Sequence, residues 1–406
     1  MTDTTDVPED ASASSGRASV WRHPLWIILL SGLLIRLYNI GEYSIWFDEA
    51  STILGTTYVD WDLAFLSSSE SRSLPLFCVI SLGWIGIGEG LLGFSLGSVE
   101  SDIFLRILPT IFSVGLIGMT YVLAMHLFQN RRAGLCAAWF LALSPFHVFY
   151  AQEFRPHSLY ALLVAVCMYC SLRLLEDGDR KFWVGTIVSG VLAFYTYYFT
   201  ALFFLSINVF ALLSFSRYKH RIVSWTLCQL TTFVLIIPPL LMARRSWSSH
   251  AAAEEHWFPH PTIKTALITV KNLFAGFSAN IPLYWTLFFM GSLILLVGVL
   301  ASRKHLHPLK FILCMTAFPI LFQIAFWTTQ DLAFYTYRIQ LAYTAPIYML
   351  MGIGIVAIPL TYGRVAVAAI FSILTLSALF DVYHQNLHPV WSHVLGVRYK
   401  IDSRSA

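Results

Sequence analysis

Leu25-Trp26-Ile27-Ile28-Leu29-Leu30-Ser31-Gly32-Leu33-Leu34-Ile35-Arg36-Leu37-Tyr38 is an apolar run with one charge, and its reading decides the fold. No small-residue cleavage site follows it, so it reads as a retained membrane helix and not as a removed signal peptide. Ahead of it, residues 1–22 are rich in Ser, Thr, Asp and Ala and read as a disordered cytoplasmic tail. Behind it the same character returns in runs that begin near Ile103, Ala133, Ser158, Phe182, Thr200, Ile222, Pro282, Lys310, Ile339 and Gly363. With a rise of about 1.5 Å per helical residue, these runs predict about eleven transmembrane helices. The fold class is therefore all-α, a polytopic integral membrane protein with juxtamembrane helices in its first outer loop.

Composition agrees. The 406 residues are 57% hydrophobic and 12% charged, with a mean hydropathy of +0.67, which excludes an ordinary water-soluble fold. The net charge of +4 does not point to nucleic acid, because most Lys and Arg sit in short clusters between apolar runs, where they orient membrane proteins. All six cysteines lie inside apolar stretches and read as small buried hydrophobes. Cys167 and Cys170 have CxxC spacing but no second ligand pair, so packing is the expected role.

The segment Leu74–Leu96 is apolar enough to span but carries five glycines and Glu89. If it stays on the outer side, the clusters Arg131-Arg132, Arg180-Lys181, Arg217 to Arg221, Arg303 to Lys310 and Arg364 all become cytoplasmic. If it spans, all of them flip outward. The positive-inside rule thus predicts an N-in, C-out chain: a membrane domain over 23–383, outer loops at 41–102 and 244–281, and a short outer tail at 384–406. The stretch Phe182–Phe215 reads as a tight helical hairpin turning at Thr196–Thr200. No internal repeat is visible, which counts against a transporter.

This topology gathers the reactive side chains on one face. The first loop holds Tyr43-Ser44-Ile45-Trp46-Phe47-Asp48-Glu49-Ala50-Ser51-Thr52, then Arg72, Glu100, Asp102 and Arg106. Later outer turns supply Gln152, Glu153, Arg155, His157, His256, His260, Lys264, Lys271, Asp331, Tyr335 and Arg338. The stretch Trp46-Phe47-Asp48-Glu49, the helix start Asp102-Ile103-Phe104-Leu105-Arg106, and Ser144-Pro145 leading to Gln152-Glu153-Phe154-Arg155-Pro156 occur in that order. Together they resemble the GT-C superfamily of polyprenyl-phosphate-sugar-dependent glycosyltransferases, in the branch of protein O-mannosyltransferases and lipid A aminoarabinose transferases. The likeness runs from about Arg36 to Thr200 and returns weakly at Tyr335–Arg338. It departs from the family at Ser73-Leu74-Pro75, where a basic or His residue often precedes paired prolines, and at His157, where the family has Tyr.

The resemblance implies a membrane glycosyltransferase of the cell envelope. It would move a hexosyl or pentosyl group from a polyprenyl-phosphate carrier to a hydroxyl of a glycan, lipid or protein acceptor, on the extracytoplasmic face of a plasma or inner membrane. It assigns the catalytic carboxylate to Asp48, with Glu49 orienting the acceptor or the base. The chemistry is consistent with that. A lipid phosphate is a good leaving group without a general acid, whereas the acceptor hydroxyl needs a base within hydrogen-bond reach. Direct attack inverts the anomeric carbon.

Arg106, Arg155 and Arg338 stand at predicted outward helix ends as donor-phosphate ligands, since guanidinium matches phosphate geometry. Arg36 joins them, because a charge in the outer half of a membrane helix costs up to about 3 kcal/mol unless it faces a site or a carboxylate. Gln152, Glu153, His157 and Tyr335 are expected to bind substrate, and Lys264 and Lys271 to lie on an amphipathic helix across the site. No cofactor is required. A divalent cation on the phosphate is the one addition this chemistry would accept, and the histidines at 250, 256 and 260 lack a compact zinc motif. The rival from another class is a transporter or flippase of lipid-linked sugars, which should show polar residues along a path through both leaflets.

Overall fold

The computed structural model describes residues 23–57, 75–241, 263–330 and 337–387. Among these residues the architecture is helical throughout, apart from one isolated bridge between Ser278 and Leu387. In chain order the helices are α1 (His23–Leu37), α2 (Phe47–Thr57), α3 (Pro75–Leu92), α4 (Val99–Phe128), α5 (Arg131–Leu143), α6 (Pro145–Ala151), α7 (His157–Asp177) and α8 (Arg180–Thr196). They are followed by α9 (Thr200–Leu213), α10 (Ile222–Leu235), α11 (Ile263–Ala275), α12 (Ile281–Ser302), α13 (Leu306–Gln330), α14 (Ala345–Ala357) and α15 (Thr361–Tyr383).

Six of these, α3, α4, α7, α12, α13 to Phe326 and α15, are long and apolar enough to cross a membrane. Two bent pairs raise the number to eight: α5 with α6 at 58°, and α9 with the stretch through α10 at 87°. The protein is thus a multi-pass membrane protein with, among the described residues, six to eight helices of crossing length where about eleven are expected. The expected count included the apolar but short α1 and α14, of 15 and 13 residues, whereas a perpendicular crossing takes about 20. Where a hairpin is expected over 182–215, the chain forms two helices, α8 and α9, separated at Tyr197–Phe199. Helix α3 has crossing length and hydropathy, where the charge pattern predicts an outer-side element. The first tail and the last residues fall at 1–22 and 388–406, outside the described residues.

Local chemistry explains the breaks. Pro145 has no N–H and sits at the first position of α6, while Ser144 caps that helix by accepting from His147 N at 3.3 Å. The carbonyls this leaves at the end of α5 need other donors. Helix α4 is capped by Ser98, whose side chain accepts from Ser101 N at 3.1 Å, and ends on Gln129 in the left-handed region. Its 30 residues span about 45 Å, longer than the hydrocarbon core is thick.

The bundle centre is packed through glycines. A Cβ on Gly298 of α12 would lie 2.0 Å from the Leu350 carbonyl oxygen of α14, and one on Gly354 would lie 2.1 Å from that of Ile294. On its other side, α14 presses Gly352 against Ala133 of α5, where a Cβ would stand 2.3 Å from the carbonyl oxygen. Small residues let helix backbones approach closely where lipid supplies no hydrophobic drive for association.

Candidate functional site

Asp48 and Glu49 occupy the first turn of α2, where carboxylates are favoured by the helix dipole. Successive helical residues point about 100° apart, so one acid turns inward and the other outward. Glu49 is the inward one and is wholly buried. It sits three residues after the N-cap position of Trp46 and reaches back to the Trp46 N–H at 3.3 Å, half of a capping box. Its oxygens also accept from Arg106 Nε at 2.9 Å, Arg106 Nη2 at 2.7 Å and Phe154 N at 2.7 Å.

Arg106, on α4 and 1% exposed, spends its remaining donors on the loop before α2. Its Nη1 donates to the carbonyls of Ile40 at 2.9 Å and Tyr43 at 2.7 Å, and Nη2 donates to that of Ser44 at 3.0 Å. A guanidinium has five N–H groups, and all of them are engaged. Arg106 therefore holds Glu49 and the loop over residues 40–44, which corrects the expectation that it meets the donor phosphate. Glu49 likewise holds α2 in place and does not face outward to meet an acceptor.

Asp48 is the outward acid. Its side chain is 21% exposed and pairs with Arg338, itself 17% exposed, through Nη1 to Oδ2 at 2.6 Å. The Arg338 guanidinium carbon lies 5.9 Å from the Trp46 ring. Arg155 reaches the same turn from the backbone side, with Nη1 donating to the Asp48 carbonyl at 2.8 Å and to Thr52 Oγ1 at 2.7 Å. Thr52 lies four residues after Asp48 and hence on the same helix face. The sequence reading passed over it, although that spacing was the available signal.

The segment bearing Arg338 is held at several points. The Gln340 side chain donates to that of Gln323 at 3.0 Å. The Tyr343 hydroxyl meets that of Tyr160 and the Phe199 carbonyl, each at 3.2 Å. Thr344 Oγ1 lies 2.7 Å from His147 Nε2. No motif in the sequence announces these partners.

The other expected residues divide. His157 is buried with its ring centroid 5.4 Å from Tyr150 and 5.8 Å from Tyr197. Arg155 and Arg338 lie within its electrostatic reach, and its Nε2 has no hydrogen-bond partner among the described residues. Glu153 is buried within electrostatic reach of Arg106. Gln152 turns away from Asp48, donating to the carbonyls of Arg36 at 3.0 Å and Tyr38 at 2.7 Å, and so closes the end of α1.

Arg36 corrects a second expectation. It is fully buried and meets neither carboxylate nor site. Its Nε donates to Ser113 Oγ at 2.8 Å, and its Nη atoms donate to the carbonyls of Gly32 at 3.0 Å, Ala142 at 2.9 Å and Leu141 at 3.4 Å. Ala142 and Leu141 end α5 at the Ser144-Pro145 break, so Arg36 satisfies orphan carbonyls at the negative end of a helix dipole.

Lys271 projects from α11 over Trp285, with Nζ 3.5 Å from the ring centroid and 5.8 Å from that of Phe288. Desolvation there moves its ammonium below the ordinary lysine range. The Lys264 side chain, Tyr335 and the histidines at 250, 256 and 260 fall outside the described residues. Among the described residues, no three His, Cys, Asp or Glu side chains converge as metal ligands.

Residues 91–242 match the family model of dolichyl-phosphate-mannose-protein mannosyltransferase. The match takes in Arg106 and the run Gln152–His157. The fold is similar to that of ArnT from Cupriavidus metallidurans in the apo state, with a TM-score of 0.56, 14% identity, and coverage of 88% of this chain and 63% of that one. The same protein bound to undecaprenyl phosphate gives a TM-score of 0.57 at the same identity and coverage. This chain thus spans about two thirds of that protein's length, at 63%. None of the curated proteins compared is a match. The resemblance to GT-C glycosyltransferases read from the sequence is borne out by the family match and the shared fold.

Proposed function

We propose that this chain is a membrane glycosyltransferase that carries a sugar from a polyprenyl-phosphate donor to a hydroxyl of a glycan, lipid or protein acceptor on the extracytoplasmic face, with inversion. The observation that carries this reading is the contrast between two adjacent acids. Glu49 is sealed into an ion pair, while Asp48 stands part-exposed beside Arg338 on a helix fixed from beneath. A base for an acceptor hydroxyl has to be reachable and held still, and Asp48 meets both conditions. The family match and the fold shared with a protein solved with undecaprenyl phosphate support the donor class.

In this mechanism Asp48 takes the acceptor proton as the oxygen attacks the anomeric carbon, and the bond to the lipid phosphate oxygen breaks on the opposite side. Arg338 neutralises the departing phosphate, whose charge lets it leave without a proton. His157, buried beside Tyr150 and Tyr197, is the contact proposed for a sugar hydroxyl. Glu49 and Arg106 are positioning residues, since they touch α2 and its preceding loop and not the substrate. Arg155 fixes the turn from which Asp48 projects. Lys271 stands on α11, the helix proposed to lie across the site.

The test is transfer of label from defined polyprenyl-phosphate sugars in membranes, comparing wild type with Asp48→Asn. Removing a general base costs about 10²- to 10⁴-fold in rate, so Asp48→Asn should lose at least a hundredfold in kcat at matched expression. Equal transfer by the variant would exclude Asp48 as the base.

A further inference from the structure

The arginines around the site differ in what it takes to move them. Arg106 has all five N–H groups on buried acceptors. Arg155 is bonded to a backbone carbonyl and a threonine within α2, and Arg36 lies away from the site on the end of α5. The bond from Arg338 to Asp48 is different, because it joins two part-exposed side chains at 17% and 21%. Solvent reaches both partners, so a competing anion can approach the guanidinium without first opening a fully buried pair.

The pairing also has a chemical consequence. At 2.6 Å, Nη1 occupies Oδ2, one of the two oxygens to which an acceptor hydroxyl would pass its proton. The same guanidinium is the planar, forked donor that suits a phosphate.

Resting on the reading of Asp48 as base, we propose that Arg338 is an exchangeable partner, held by Asp48 in the empty enzyme and drawn onto the donor's lipid phosphate when it binds. Donor binding then releases the base, and the enzyme is ordered, donor before acceptor activation. The backbone on both sides is fixed, so the exchange is a side-chain motion. Asp48 stands on a helix anchored by Glu49, and Arg338 on a segment anchored by Gln340, Tyr343 and Thr344. The Trp46 ring centroid, 5.9 Å from the guanidinium carbon, is near enough for the ring to hold the cation by its face.

Exchange has a signature that a static phosphate site lacks, because Asp48 and the phosphate compete for one cation. Binding of undecaprenyl phosphate, the probe, is measured on the purified full chain for wild type, Asp48→Asn, Arg338→Gln and the double variant. Asp48→Asn should bind about three- to tenfold tighter than wild type, as linkage requires when a competing partner is removed. Arg338→Gln should bind weaker, and adding Asp48→Asn to it should change nothing. Asp48→Ser replaces Asp48→Asn if the amide variant does not fold.

Unchanged or weaker binding by Asp48→Asn overturns the exchange. So does equal tightening in the Arg338→Gln background, which would report general loss of negative charge. The transfer assay keeps the two ideas apart. An Asp48→Asn protein that binds tighter yet transfers normally sinks the base assignment and leaves the exchange standing. One that is inactive without binding tighter does the reverse.

Discussion

Replacing Glu49 by Gln tests whether the buried pair is what holds Asp48 in place. The native carboxylate accepts four hydrogen bonds, two from Arg106 and one each from the Trp46 and Phe154 N–H groups. An amide keeps the volume but turns one oxygen into a donor. If the NH₂ takes the place of Oε1, it faces Arg106 Nε and Phe154 N. If it takes the place of Oε2, it faces Arg106 Nη2 and Trp46 N. Either way two donors lose their acceptor, and a guanidinium 1% exposed loses its counter-charge. Breaking a buried pair on one side costs about 3–5 kcal/mol, which is about two to four decades in an opening equilibrium. The cost falls on the docking of α2 against α3, whose Cys78 is buried. The assay is site-resolved thiol labelling with a membrane-permeant reagent, read by mass spectrometry, with the fully buried Cys167 of α7 as internal reference. Cys78 should label about a hundredfold faster in Glu49→Gln while Cys167 is unchanged. A Cys78 rate within about threefold of wild type would refute the idea that this pair pins α2.

Arg36→Met removes the donors to Ala142 and Leu141 at the end of α5 and should lower stability by about 2–4 kcal/mol. Its affinity for polyprenyl phosphate should be untouched, and a tenfold loss of that affinity at unchanged Tm would return Arg36 to the phosphate site. Gly298→Ala puts a Cβ 2.0 Å from a backbone oxygen of α14 that cannot rotate aside, so it should cost about 1–3 kcal/mol by thermal unfolding. Gly83→Ala on α3 meets nothing within 4 Å and should stay within about 0.5 kcal/mol of wild type. Equal effects of the two glycine changes would contradict the close packing of α12 on α14.

The membrane class, the helical fold and the placement of Asp48 beside Arg155 and Arg338 were legible in the sequence, because each depends on hydrophobicity or on motif order. The partners of the charges were not. Arg36 looked like a residue in search of an anion, since sequence shows that a charge lies in an apolar run but not that a helix four elements along the chain ends in unsatisfied carbonyls. Arg106 looked like a phosphate ligand because it stands near the start of a helix on the outer side. Only the fold shows that it is consumed by Glu49 and three carbonyls. Six to eight helices of crossing length stand among the described residues where about eleven are expected, and apolar runs such as Ala345–Ala357 are shorter than a perpendicular crossing needs.

Burial of these arginines also limits where a phosphate can be held. Recruiting Arg106 would mean stripping a buried carboxylate of its counter-ion, at about 3–5 kcal/mol, before any contact with the ligand is made. That is two to four orders of magnitude in affinity, more than one added guanidinium–phosphate contact returns in a part-solvated site. Arg338 and its anion are both reached by solvent, so a phosphate can meet that guanidinium without stripping a sealed carboxylate. A site built from both kinds of arginine can therefore be rigid and responsive at once. Under the proposed exchange, the committed pair would fix the coordinates of Asp48 and the pair of Asp48 with Arg338 would report whether a donor is present.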